Sequence, residues 1–392
     1  MGYRKFGADY LFTGTSMADH NWVLITDGEG EIIDVVDKSN AGDDIENFSG
    51  ILCPGFINAH CHLELSHLKN LILEQTGLTE FVFEVVTKRH YDNEEILNSI
   101  ETEEKNMLKC GIVGVGDICN NDLSLLQKQS ENLAYYNFIE VSGWNPDIAS
   151  LRFEKAKIFY DEFLKKNQQV SIVPHSPYSV SKRLWGKIAP FFPNRVISIH
   201  NQETPDEDLF FLKGEGELNE MYKKMNIDNT FYKYPGVRSI ETYFKDLSKA
   251  GSVILVHNTF MEQQDLDYIN KNKPAEQLLS FCLCPNANLY IENTIPPIEL
   301  FLNNECNMVI GTDSLASNQQ LDILEELKTI SKNFPFISTE KLLTWATING
   351  AKALQMHNKL GSFEKKKKPG VVLIENIKGE KITEASSARR IL

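Results

Sequence analysis

The sequence contains no run of about 18 apolar residues, so no stretch reads as a membrane-spanning helix. Its first residues, Met1-Gly2-Tyr3-Arg4-Lys5-Phe6, lack the apolar core and small-residue cleavage site of a secretory leader. Phe6 also stands where N-myristoylation asks for Ser or Thr. Cysteine is sparse: seven, an odd number, are spread over 392 residues without a disulfide framework. This suits a reducing compartment, and the cytoplasm is the expected location. Cys282 and Cys284 form a C-x-C pair with no second pair to complete a zinc site, so strand packing is their expected role. Positive charge is in deficit. The 40 Lys and Arg against 54 Asp and Glu leave a net charge of −14, which repels phosphate and argues against a polymeric nucleic acid as partner. The run Lys365 to Lys368 is short and precedes Pro369-Gly370, so it reads as a solvated turn. No solenoid-type repeat is visible.

What is present is a hydrophobic fraction of 42%, enough for a sizeable core. Trp22 to Thr26, the turn Asp27-Gly28-Glu29-Gly30 and Glu31 to Val36 read as a hairpin. Gly370 to Glu375 offers it a partner at the far end. The expectation is a small β-sandwich domain built from residues 1–50 and 356–392. Between them, eight apolar runs of strand length alternate with helix-length segments. The first is Ile51-Leu52-Cys53, leading to His60 and His62. The others are 111–117, 136–141, 170–175, 196–200, 253–257, 281–284 and 307–313. Parallel strands buried on both faces have this character. Eight of them close a (β/α)8 TIM barrel, expected over residues 51–355. The connection from Glu203 to Glu241 is long, charged and aromatic, and is expected to sit over the barrel mouth.

Functional groups in such a barrel sit at the C-terminal strand ends. Six of the nine histidines fall at or just after these ends: His60, His62, His67, His175, His200 and His257; Asp313 ends the eighth run. In a strand of period two, His60 and His62 point to the same side, and imidazole is a common ligand for zinc and suits iron. His20, His90 and His357 fall outside the pattern.

The stretches Pro54 to His62, Pro174-His175-Ser176-Pro177-Tyr178, His200-Asn201-Gln202-Glu203, Val256-His257-Asn258, Gly311 to Asn318 and Trp345 to Leu354 together resemble the amidohydrolase superfamily. More narrowly, they are similar to the branch that deaminates aromatic heterocycles, with adenosine-type, S-adenosylhomocysteine, aminofutalosine and guanine deaminases and the triazine hydrolases. The resemblance implies one divalent metal, zinc before iron, held by His60, His62, His200 and Asp313. Strand four ends in His175 with no lysine, which sets the chain apart from binuclear relatives. The resemblance further implies Glu203 as the acid that protonates a ring nitrogen, His257 as the residue that orients the attacking water, and Asp313 as its proton acceptor. Glu203 also stands where an acidic helix start is favoured. Substrate contacts are expected from His175, and from Glu64 or Glu80 for a sugar. Glu64 and His67 serve equally well as supports of the site, and Arg238 and Ser239 lie in the long connection. The implied reaction is hydrolytic removal of an amino group from an adenosine-type purine nucleoside, a small heterocyclic substrate. The alternative is dechlorination, alkylamine removal or ring opening of another N-heterocycle by the same centre. Homodimers are common among such relatives, but the sequence carries no interface signal.

Overall fold

The computed structural model describes residues 2–392. Two four-stranded sheets form the centre, and all their pairings are parallel. The terminal strands are β1 (Arg4–Phe12), β2 (Met17–Asp19), β3 (Trp22–Thr26), β4 (Ile32–Asp37) and β5 (Ile45–Pro54). The first central sheet is β6 (Phe56–Cys61), β7 (Ile112–Cys119), β8 (Ala134–Val141) and β9 (Gln169–Pro174). The second is β10 (Val196–Asn201), β11 (Ser252–His257), β12 (Leu278–Leu283) and β13 (Met308–Ile310). Every residue of β6, β7, β10 and β11 is buried, as expected of strands covered on both faces. The two sheets touch at both edges. Cys61 and Asp313 form a parallel bridge, and the amides of Thr312 and Asp313 donate to the His60 carbonyl at 3.0 and 3.1 Å. On the opposite side the His200 amide donates to the His175 carbonyl at 3.0 Å.

The remaining strands, with β14 (Val371–Glu375) and β15 (Ser387–Arg390), form one seven-stranded sheet in the order β15-β14-β5-β1-β3-β4, with β2 paired to β1. Both termini enter it, as expected, but it is one sheet and not two facing ones. The ten-residue β5 pairs with β1 on one side and with β14 on the other, so the hydrogen-bond ladder runs unbroken between the termini. Phe6, Leu11, Leu24, Leu52, Val371 and Leu373 form a core of its own.

A second correction concerns Ile51-Leu52-Cys53. These residues do not lead the first central strand but belong to β5, where Leu52 pairs with Leu11 and Leu373. The chain changes sheets at Pro54-Gly55. Proline has no N–H to continue a ladder. A side chain at Gly55 would meet Val113 Cγ1 at 2.3 Å and the Pro369 carbonyl at 2.7 Å, so the crossing requires glycine. β5 therefore runs straight through residues 50 and 51.

The long connection folds into three short helices, Pro205–Lys213, Glu217–Lys224 and Ser239–Tyr243. Phe210 and Tyr222 from it pack with Trp144 in a separate aromatic core. Among the described residues no helix is long and apolar enough to cross a membrane.

Candidate active site

His60 lies in β6 and His62 just beyond it, and their rings meet edge to face at 4.9 Å between centroids. Alternation along an extended chain puts both on one side. His200 comes from β10, and Asp313 follows β13. The His60 and His62 Nε2 atoms are 3.2 Å apart. His62 and His200 Nε2 are 3.3 Å apart. Asp313 Oδ1 lies 3.4 Å from His60 Nε2 and 3.3 Å from His62 Nε2. Four ligands placed tetrahedrally about 2.0–2.1 Å from one ion stand about 3.3–3.4 Å from each other. The observed spacing matches that figure.

The protonation pattern agrees with the spacing. His200 Nδ1 donates to the His175 carbonyl at 2.8 Å, which leaves a bare Nε2 lone pair aimed at the cluster. Burial lowers the His200 pKa to about 3 and holds His62 well below its usual value. Burial alone would raise the Asp313 carboxyl, but His60, His62 and His257 together hold it well below the carboxylate range. The neutral imidazoles of His62 and His200 and an ionised carboxylate at these distances supply acceptors without enough protons between them. A divalent cation fits the group. His257 also lies within 4.8 Å of His60, His200 and Asp313, so it competes with His62 for the fourth place. His62 stands 3.2–3.3 Å from the other three ligand atoms, which favours His62.

His257 and Asp313 both have left-handed backbones, with φ of +71° and +58°. Such strain costs about 1–3 kcal/mol per residue and persists only where the surroundings enforce it. Here Ser317 Oγ donates to Asp313 Oδ2 at 2.5 Å, and Asn288 Nδ2 stands 3.2 Å from His257 Nδ1.

Glu203 follows β10, and its Oε1 lies 3.4 Å from His257 Nε2. It is not the helix cap. The helix Pro205–Lys213 begins after Thr204 and has no side-chain cap. Burial, with repulsion from Asp313, Glu292 and Glu207, pushes the Glu203 carboxyl well above its usual pKa.

These groups line a cavity of about 490 Å³. His62, His175, His200, Glu203, His257 and Asp313 border it at the strand ends, and Leu78, Phe81, Trp144, Met221 and Tyr222 supply apolar wall. His175 Nδ1 sits 3.0 and 2.9 Å from the Ser176 and Ser179 hydroxyls. Burial and the nearby Arg89 lower its pKa to about 4.

Two expected sugar contacts are not brought to the cavity. Glu80 pairs with Lys224 at 2.5 Å and is 43% exposed. Glu64 is buried with both oxygens occupied, by Arg89 at 2.7 Å and by the Asn120 amide at 3.0 Å. Its neighbours Arg89 and Asn120 line the cavity in its place. His67 contacts the Arg89 carbonyl at 3.2 Å. Arg238 is held by Asp208, Glu262 and Asp265, and Ser239 donates to Glu207, so both serve the long connection. Cys282, in β12, and Cys284, just past its end, are buried free thiols packed in the central core.

The sequence reading missed Arg89, Asn120, Glu140, Trp144 and Tyr178 on the cavity wall. Glu140 had a usable signal, because it is an acidic residue near the C-terminal end of a strand that is apolar apart from Asn137. The others lie on helices and loops and carry none.

Three imidazoles and a carboxylate converging at the C-terminal ends of parallel strands, beside a buried acid, define a hydrolase built around a metal-binding group. The chain belongs to the amidohydrolase family, whose pattern matches residues 51–389. It is similar to an adenosine deaminase of Helicobacter pylori, with 26% identity over 334 residues, covering 82% of this chain and 78% of that one. Its fold is similar to the crystal structure of H. pylori aminofutalosine deaminase in complex with methylthio-coformycin, with a TM-score of 0.78, 20% identity, and 96% and 94% of the two chains covered. It is also similar to an adenosine deaminase from Xanthomonas campestris with bound zinc, with a TM-score of 0.70, 19% identity and coverages of 95% and 84%.

Proposed function

We propose that this chain is an aminohydrolase that replaces the amino group of an adenosine-type purine nucleoside with water and releases ammonia. The observation that carries the reading is Glu203, a buried carboxyl with a raised pKa beside His257 at the strand ends. An aromatic ring carbon becomes electrophilic when the adjoining nitrogen is protonated, and an acid kept protonated near neutrality supplies that proton. The similarity to adenosine deaminase supports the purine as substrate class.

His60, His62, His200 and Asp313 would hold one divalent cation, zinc before iron, which when bound acts as a Lewis acid and lowers the pKa of a water. The zinc in the X. campestris relative supports that order. Glu203 gives its proton to the ring nitrogen next to the carbon bearing the amino group. His257 orients the attacking water, and Asp313 takes a proton from it for the departing ammonia. His175 borders the ring. The eight parallel strands are read as one closed (β/α)8 barrel, supported by the backbone bonds at both sheet edges. The expected boundary at residue 51 moves to the sheet change: residues 56–355 are assigned to the barrel, and residues 1–55, which include β5, with 356–392 to the second unit. A homodimer in the cytoplasm is the proposed state; sedimentation of the purified protein tests the first part and cell fractionation the second.

The test is ammonia release by zinc-loaded enzyme from adenosine, S-adenosylhomocysteine, methylthioadenosine, aminofutalosine, guanine and cytosine. The purine nucleosides are expected to react, and plain amides are not. Hydrolysis of chloro- or alkylamino-substituted rings without any ammonia release would keep the centre and remove the deaminase reading. A kcat/KM unchanged by removal of the ribose would shift the substrate to a free base.

A further inference from the structure

His257 has two ring nitrogens, and only one of them has a hydrogen-bonding partner. Its Nδ1 lies 3.2 Å from Asn288 Nδ2, whereas Nε2 has none and faces Glu203 Oε1 at 3.4 Å. Asn288 sits on the helix Pro285–Glu292, immediately past β12, and is fully buried. The same amide nitrogen donates to Thr259 Oγ1 at 2.7 Å. The amide nitrogen thus faces two groups, the hydroxyl of Thr259 two residues past His257 and the ring nitrogen Nδ1.

An amide nitrogen only donates. A donor aimed at Nδ1 requires a lone pair there, and a neutral imidazole then carries its proton on Nε2. An N–H at Nε2 would have the carboxylate of Asp313, in the same cluster, as an acceptor close by.

We propose that Asn288 is a positioning residue that holds His257 in the Nε2–H tautomer, so that this N–H is the donor presented to the attacking water. The proposal rests on the deaminase reading for its catalytic consequence but not for the tautomer itself. A fixed donor beside an oxygen that gains negative charge stabilises that charge without reorganisation. The reverse tautomer would present a lone pair there. In a serine protease, imposing the wrong tautomer on the catalytic histidine costs about 10⁴-fold in rate.

The experiment is ¹⁵N NMR of zinc-loaded, histidine-labelled enzyme, with the His257 signals assigned by their loss in His257→Asn. The expected result is a proton on Nε2 and a bare Nδ1. Asn288→Asp replaces the donor by an acceptor and should move the proton to Nδ1. It should lower kcat by about 10²-fold or more, with zinc content retained and KM changed by less than about threefold. Asn288→Ala, which removes the donor and adds no acceptor, should weaken the Nε2–H preference and lower kcat by less than Asn288→Asp; an unchanged tautomer and kcat in Asn288→Ala would decide against the proposal if Asn288→Asp does not fold. A wild-type enzyme with its proton on Nδ1, or with Nε2 bound to zinc, would overturn the assignment. So would an Asn288→Asp variant with unchanged tautomer and kcat. If the wild type releases ammonia from no heterocycle, the deaminase reading falls while the NMR result still decides the role of Asn288.

Discussion

Glu203, just before the helix Pro205–Lys213, and Glu207, within it, both have carboxyls raised by burial, yet they belong to different problems. Glu203 faces His257 and the cavity. Replacing it by glutamine keeps its size and removes its proton. Glu203→Gln should retain metal and lose turnover by about 10²-fold or more, read by metal analysis beside an ammonia assay. Near-normal turnover would reduce Glu203 to a wall residue. Glu207 instead packs under Ser239, with its carboxyl pushed from 4.5 up to about 8 by burial. A carboxyl whose folded pKa is raised holds its proton more tightly in the folded state. Its contribution to stability is therefore present below about pH 4.5 and is lost as pH rises to about 8. Relative to Glu207→Gln, the wild type should lose stability steadily between pH 5 and 8, measured as the difference of the two unfolding curves. A difference constant across that range would count against a raised pKa at Glu207.

At the scale of elements, the site depends on how β13 meets β6. β13 is three residues long and ends at Ile310, and Gly311 then passes directly behind His60. A methyl group at Gly311 would lie 2.9 Å from His60 Cβ and 2.8 Å from Cys282 Sγ. Neither can move without shifting a buried strand. Gly311→Ala should therefore weaken zinc binding by about 10-fold or more, with a smaller effect on overall folding, read by competition with a chelating dye. Unchanged affinity would show that His60 tolerates the displacement. The switch at Pro54-Gly55 works by the same close approach. Glycine there lets one chain leave the terminal sheet and enter the central one within two residues.

Over the whole molecule, the cluster of neutral histidines around Asp313 couples metal to stability. A cation that binds only the folded state stabilises it by mass action, by about 2.7 kcal/mol at a hundred times its Kd. Chelation should lower the Tm, and added zinc should restore it. A Tm indifferent to both would argue that the group holds no resident ion. The same experiment at different salt concentrations should show little change, since the ligands are buried and screened little by salt despite the net charge of −14.

Local chemistry made much of this legible from the sequence. Period-two spacing put His60 and His62 on one side, and the apolar runs ending in histidine or aspartate marked the strand ends. The resemblance to the amidohydrolase superfamily then named His60, His62, His200 and Asp313 as one group before any fold was known. The same reasoning misplaced Ile51 to Cys53, because an apolar run does not say which of two adjoining sheets it enters; Pro54, Gly55 and the pairing with Val371 to Ile374 decide that. The family resemblance placed Glu80 at the substrate, although Lys224, 144 positions away, draws it to the surface. Arg89, Asn120 and Asn288 reach the site only because helices and loops distant in sequence pack against the strand ends. Spacing along a strand is a property of the chain itself. Which groups meet across a cavity depends on long-range packing, and only the tertiary structure determines it.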